Sequence, residues 1–254
     1  ANSLHHCTCK TLGLAPMSPQ STWEPMIAEK IVHRIAESVT NDQNHEPLLV
    51  GIVGIPGSGK TTSSQILSQM LTSSKIGNMI IPMDGYHYPL SRLRTFDDPA
   101  DAIYRRGAPD TFDSKSLKQD LMKIKHGNDK DMNNDDDNAI VHIPGFDHSK
   151  GDPEPDLYIF RRCKHSVVIC EGLYLLHNGD GWSDHGIQDL FDITVFIDAN
   201  VDVCVERLKV RNLCIPGYTQ EEILIRCEQV DRVNAMTVLQ CREKADFVVK
   251  SAAL

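Results

Sequence analysis

The stretch Gly54-Ile55-Pro56-Gly57-Ser58-Gly59-Lys60-Thr61 spells GxxxxGK[ST] directly after the apolar run from Leu48 to Val53. Few patterns constrain a fold as strongly. The glycines let the backbone curl until several N–H groups point at one anion. A helix expected over residues 60–71 turns the positive end of its dipole to the same place. The pattern reads as a nucleotide-phosphate loop with Mg²⁺ and does not by itself separate a kinase from a GTPase or a motor ATPase. Gly54, Pro56, Gly57, Ser58, Gly59 and the helix start through Thr62 form the cradle. Lys60 reaches the β- and γ-phosphates, and the Thr61 hydroxyl holds the metal.

An apolar run feeding such a loop suits a strand buried on both faces of a parallel sheet. Further strands are expected at 79–83, 167–170, 193–197 and 247–249, with helical patterns at 114–125, 201–211 and 219–241. Trp23, Ile27, Ile31, Ile35 and Val39 make one stripe of an earlier amphipathic helix. Alternating strands and helices imply an α/β class: a doubly wound parallel sheet of about five strands with helices on both faces. With its phosphate loop, this arrangement resembles the nucleoside-monophosphate-kinase-like P-loop fold. Residues 23–254 read as one domain behind a disordered 1–22 segment. Residues 127–138, rich in Asn and Asp, read as an acidic surface insertion, with a metal-binding loop as the rival.

The 254-residue chain is 41% apolar, enough for a sizeable core, and carries a net charge of −9. That charge excludes a nucleic-acid or anionic-membrane partner, which needs a basic face. No run approaches the ~20 apolar residues of a membrane span. The eight cysteines sit mostly singly in apolar runs, as buried thiols of a reducing compartment do. Cys7 and Cys9, with His5 and His6, stand either as a metal pair or as part of a loose terminus. The chain begins at Ala1 rather than Met, so a fragment, a processed form or an edited form is expected. The segment before Glu24 is rich in Ser and Thr and resembles an organelle transit-peptide remnant. A cytoplasmic or organellar protein, not a secreted one, is expected.

Two other expected strands run into acids: Val167-Val168-Ile169-Cys170 into Glu171-Gly172, and Met79-Ile80-Ile81-Pro82-Met83 into Asp84-Gly85. Ligands of parallel sheets sit at the carboxyl ends of strands. Two acids there suit a base for a hydroxyl and a ligand for the metal; either acid alone is equally at home capping a turn.

Residues 51–62 together with Met83-Asp84-Gly85-Tyr86-His87 and Cys170-Glu171-Gly172-Leu173-Tyr174 resemble the uridine kinase, phosphoribulokinase and bacterial-type pantothenate kinase superfamily. Arg105-Arg106-Gly107-Ala108-Pro109-Asp110-Thr111-Phe112-Asp113 and Pro144-Gly145-Phe146-Asp147-His148 are similar to two pantothenate kinase segments. The resemblance implies Asp84 as catalytic base and Glu171 on Mg²⁺. It implies Arg106 and His148 in the acceptor pocket, and Arg207 and Arg211 as lid arginines over the phosphates. The i, i+4 spacing of those arginines puts both on one helix face; without the resemblance they read equally as solvated surface. Tyr86, His87, Phe112 and Tyr174 stand either as pocket lining or as core. Phe146 lacks the hydroxyl of the usual Tyr, so nucleoside, pantothenate and sugar-like acceptors stay open.

The expected activity is transfer of the ATP γ-phosphate to a hydroxyl of a small soluble metabolite, with Asp84, Lys60 and Arg211 as catalytic groups. The alternative is a regulatory P-loop NTPase without an acceptor. A GTPase would need an Asn-Lys-x-Asp motif, which the sequence lacks. Kinases of this kind are often dimers or tetramers, so a homo-oligomer is open.

Overall fold

The computed structural model describes residues 25–41, 46–127, 140–147, 149–179, 181–213 and 218–251. The expectations for the 1–22 segment, nearly all of the acidic insertion, His148, Cys7, Cys9 and Cys214 lie outside these residues. Among the described residues the order is α1 (Pro25–Asn41), β1 (Leu48–Gly54), α2 (Lys60–Ser73), β2 (Asn78–Pro82), α3 (Leu90–Leu93), α4 (Pro99–Tyr104) and α5 (Ser114–His126). Then come β3 (Ile140–Asp147), β4 (Asp152–Arg161), β5 (Val167–Gly172), α6 (Trp182–His185), β6 (Ile193–Asp198), α7 (Val201–Asn212), α8 (Gln220–Arg226), α9 (Arg232–Leu239) and β7 (Phe247–Lys250).

Five of the strands form one parallel sheet in the order β2-β5-β1-β6-β7. β1 lies at its centre. Every residue of β5, and all of β1 after Leu48, is buried. This is why the strand segments read as continuous apolar runs rather than alternating ones. Alternate residues feed two cores. Val50, Ile52, Ile169 and Val195 pack with Ile31 and Ile35 of α1 and Leu67 and Leu71 of α2. Leu49, Val53, Val168 and Phe196 pack on the other face with Leu117 and Leu121 of α5 and Ala235 and Val238 of α9. Helices thus cover both faces, as a doubly wound sheet requires.

The helix starts carry their own signals. Asp113 accepts from the Ser116 N–H at the head of α5, and Asn200 accepts from the Val203 N–H at the head of α7. Thr219 and Glu222 close a reciprocal capping box at the head of α8. Three details differ from the sequence reading. Met83 lies not in β2 but in a 3₁₀ turn, Met83–Tyr86. The helix expected over 219–241 is α8 and α9 joined by one π turn, Cys227–Asp231. β3 and β4 form an antiparallel hairpin that the reading of strands did not include. Cys170, Cys204, Cys227 and Cys241 are buried thiols, but Cys163 is exposed. Among the described residues no helix is long and apolar enough to cross a membrane.

Candidate active site

The loop between β1 and α2 curls through two left-handed glycines, Gly57 at φ 78° and Gly59 at φ 90°. A side chain has no room there either. A Cβ on Gly57 would lie 2.9 Å from the Cys204 carbonyl oxygen of α7, and one on Gly54 would lie 2.7 Å from Ser58 Oγ. The Ser58 N–H donates to the Ile55 carbonyl at 3.1 Å, and Lys60 Nζ donates to the same oxygen at 3.1 Å. Gly59 heads α2 without a side-chain cap, which leaves the first N–H groups of a 14-residue helix open to an anion. Ser58 is fully buried, and its hydroxyl has no hydrogen-bond partner. These features fit a nucleotide phosphate chain, with Pro56 and Thr62 on the same short segment.

Strand register brings the acids to this loop. Glu171 on β5 pairs with Ile52 of β1 on one side and Pro82 of β2 on the other. Asp84 follows Pro82 by two residues, in the turn that β2 enters. Glycines after both acids allow this convergence. A Cβ on Gly172 would lie 2.6 Å from Met83 Cβ, and one on Gly85 would lie 2.3 Å from the Pro144 carbonyl oxygen. Thr61 Oγ1 donates to Glu171 Oε1 at 3.0 Å, 110 residues away in sequence. Burial pushes the Glu171 carboxyl up, and Asp84 adds to the rise; Lys60 and the Thr61 hydrogen bond oppose it. Burial pulls the Lys60 ammonium down, against the attraction of Glu171 and Asp84, while Arg211 adds to the fall. Lys60, Glu171 and Asp84 therefore act on one another at one place.

Thr61 and Glu171 supply two hard oxygen donors, which suits Mg²⁺. Among the described residues no group of three or more His, Cys, Asp or Glu side chains is placed to hold a metal. A magnesium ion here would rely on phosphate oxygens and water for the rest of its shell.

Of the two lid candidates on α7, Arg207 reaches the phosphate loop, with Nη1 at 3.4 Å from the Gly57 carbonyl. Arg211 is exposed; its Nε donates to Asn212 Oδ1 at 3.2 Å, and its charge is felt at Lys60. Arg106 is tied into the wall of a neighbouring cavity. It donates to the Tyr88 carbonyl at 2.9 Å, to the Gly151 carbonyl at 2.5 Å and to Asp152 Oδ1 at 2.6 Å. His87 turns Nδ1 to the Asp84 carbonyl at 2.9 Å, and its ring centroid lies 3.9 Å from that of Phe112. Burial pulls the His87 imidazole below its ordinary value, so it stays neutral near pH 7.

The three remaining aromatics are core residues, which corrects the lining option. Tyr86 and Phe112 are each 3% exposed, and Tyr174 is wholly buried. The Tyr86 hydroxyl donates to Asp120 and that of Tyr174 to the Gly107 carbonyl. They brace the Asp84 turn and the Arg106 loop from behind, and the hydroxyls of the two tyrosines are spent on protein groups.

The sequence reading missed Tyr158, Lys150 and Arg226. Tyr158 lies on β4, and burial together with the Glu171 and Asp84 charges raises its phenol. Arg226 ends α8 and donates to the Arg106 carbonyl at 2.8 Å. Lys150 sits in the hairpin turn. A short continuous run of apolar and aromatic residues, Leu157-Tyr158-Ile159-Phe160, was the available signal for β4; no local pattern marks Lys150 or Arg226.

A phosphate loop on the central strand of a parallel sheet, with acids at the ends of the two strands on one side, is the architecture of a P-loop kinase. The chain belongs to the phosphoribulokinase/uridine kinase family, whose model matches residues 49–253. It is 32% identical over 231 residues to C227.14 of Schizosaccharomyces pombe, a protein that carries a uridine kinase name, covering 89% of this chain and 91% of that one. It is 30% identical to the ATP-dependent kinase YFH7 of Lachancea thermotolerans, across 89% of this chain and 75% of that one. Among solved structures it is similar to a Silicibacter sp. TM1040 protein named for a fructose transport system kinase. The TM-score is 0.71 at 25% identity, over 87% of this chain and 98% of the other.

Proposed function

We propose that this chain transfers the γ-phosphoryl group of ATP, with Mg²⁺, to a hydroxyl of a small metabolite. The observation that carries the reading is the joint placement of Lys60, Glu171 and Asp84 at the mouth of the phosphate loop, with Thr61 already bonded to Glu171. The uridine kinase, ATP-dependent kinase and fructose transport system kinase names of its relatives support the same class.

Bound ATP supplies the phosphoryl group, and Mg²⁺ offsets charge on its phosphates. Asp84 orients the acceptor hydroxyl and takes its proton as the new P–O bond forms and the bond to ADP breaks. Lys60 and Arg207, with Arg211 closing from α7, stabilise charge on the transferred group. Thr61 and Glu171 hold the metal. The cavity beside Arg106 receives the acceptor, and the apolar wall of the hairpin keeps bulk water from competing with it.

The test is a phosphotransfer screen of the purified chain against nucleosides, pantothenate, hexoses, pentoses and glycerate, with Lys60→Ala as control. Acceptor-dependent ADP release that the control lacks is expected. ATP hydrolysis indifferent to every acceptor would overturn the reading.

A further inference from the structure

We propose that the acceptor carries an anionic group, a carboxylate or a phosphate, received between Arg106, Lys150 and Arg226. This rests on the kinase reading and narrows it to a substrate class. A cavity of about 380 Å³ opens between the hairpin turn, the Arg106 loop and α8. Those three cations line it, and among the described residues no carboxylate does. The rest of its wall includes apolar groups such as Ile103, Phe146 and Ile223.

Each cation has an acid partner, but the partners lie outside the lining. Asp152 is 2.6 Å from Arg106, Asp231 is 3.9 Å from Arg226, and Glu154 is 2.7 Å from Lys150. These acids, with Asp147 3.3 Å from Lys150, hold the cationic side chains in place, and the cations rather than the acids face the described lining. Asp152 also accepts from the Leu90 N–H at 3.0 Å, so part of its charge is spent on backbone. Arg106 Nε is buried without a hydrogen-bond partner, although the other guanidinium nitrogens are used. Arg226 reaches the Arg106 backbone, so two like charges share one part-buried wall.

The positive field extends toward the reacting centre. After burial and the opposing pull of Asp84, Arg106 and Arg226 are what hold the His87 imidazole down. His87 lies against the Asp84 carbonyl. An acceptor anchored by its anion on the arginines therefore extends its free hydroxyl toward the Asp84 turn. A neutral acceptor would lack the charge-assisted hydrogen bonds to the cavity's cations that fix its orientation.

The experiment measures ADP release by the full chain with ATP and Mg²⁺ for matched pairs: D-glycerate and glycerol, pantothenate and panthenol, ribose 5-phosphate and ribose. Calorimetry measures binding of the same compounds. Turnover and binding confined to anionic members are expected. With the best of them, Arg226→Gln and Lys150→Gln should each raise KM by about 10- to 100-fold, leaving KM for ATP unchanged. Lys150 is largely exposed, so its variant tests the anion site free of any folding defect. Equal or better turnover of a neutral member would overturn the anionic class and leave the kinase reading standing. Binding of an anionic member without turnover would keep the anion site and overturn the kinase reading. Absence of both, in protein that binds ATP, would remove the two together.

Discussion

Gly172 stands so close to Met83 that a Cβ added to the glycine would come within 2.6 Å of the methionine Cβ and 2.7 Å of its sulfur. This contact sets the separation of the two acids, since Glu171 precedes the glycine and Asp84 follows the methionine. Both partners are backbone-near atoms in a filled core, so neither can move aside without shifting a strand end.

Gly172→Ala should therefore damage catalysis more than folding. Overpacking a core by one methyl group costs about 1–3 kcal/mol. A displacement of the Asp84 turn on the order of 1 Å costs about 100-fold in rate. Steady-state kinetics beside thermal melts checks this. A folded variant with kcat near that of the parent would show that the close contact is incidental to acid placement.

Lys60 gives a second prediction, in which stability and function part. Burial already disfavours its charge when no phosphates are bound. Lys60→Met keeps the stem and removes the buried ammonium. Phosphotransfer should fall by about 100- to 1000-fold, the typical loss for one preorganised electrostatic contact. The nucleotide-free variant should melt no lower than the parent. A clear drop in melting temperature would mean that the ammonium holds the loop together through its bond to the Ile55 carbonyl.

Glu171 predicts a pH dependence of stability. Its carboxyl is raised above the ordinary value of 4.5, chiefly by burial. The folded state then binds more protons than the unfolded state across the window that opens at 4.5. The stability tied to this group is fully present below that pH and is lost as pH rises through the raised value. Glu171→Gln removes this slope. Urea midpoints of the nucleotide-free protein from pH 4 to 7.5 should fall with pH less steeply for the variant than for the parent; identical slopes would assign the dependence to other groups.

How much of this was legible in the sequence follows from chain distance. The five sheet strands were legible because each carries apolar side chains on both faces, which writes a continuous apolar run. These are buried in β5, in β6 and in all of β1 after Leu48, and largely half-buried in the edge strands β2 and β7. The phosphate loop and the two acids were legible because glycines mark places where backbone must approach something closely. The β3–β4 hairpin was not read as strands. Near the end of its β4 strand only Tyr158 and Phe160 are buried or half-buried apolar positions, with exposed Ile159 between them. Arg226 escaped notice because its role depends on the carbonyl of Arg106, 120 residues earlier. Tyr86, Phe112 and Tyr174 could be placed in pocket or core only once their neighbours, and the hydroxyl partners of the two tyrosines, were known. The π turn after α8 leaves no local signature, because it arises from how Cys227 to Asp231 pack against α7.

The last prediction separates the roles of the two acids. Asp84 lies in a turn, part-exposed, and its carbonyl is bonded to His87, whose ring lies 5.2 Å from that of Phe146 in the wall of the proposed acceptor cavity. Glu171 lies in the sheet, 8% exposed, and is already bonded to the Thr61 hydroxyl that the phosphate loop presents. A group that takes a proton must meet the acceptor, whereas a group that holds a metal must meet the loop. Asp84→Asn keeps size and hydrogen-bonding capacity but removes the proton acceptor. It should lower kcat by about 100- to 10000-fold with little change in ATP affinity. Glu171→Gln keeps the bond to Thr61 but weakens the metal site, so it should raise the Mg²⁺ concentration needed for half-maximal rate. Titrating Mg²⁺ against both variants decides between the assignments. Rescue of Asp84→Asn, but not of Glu171→Gln, by excess Mg²⁺ would exchange the two roles.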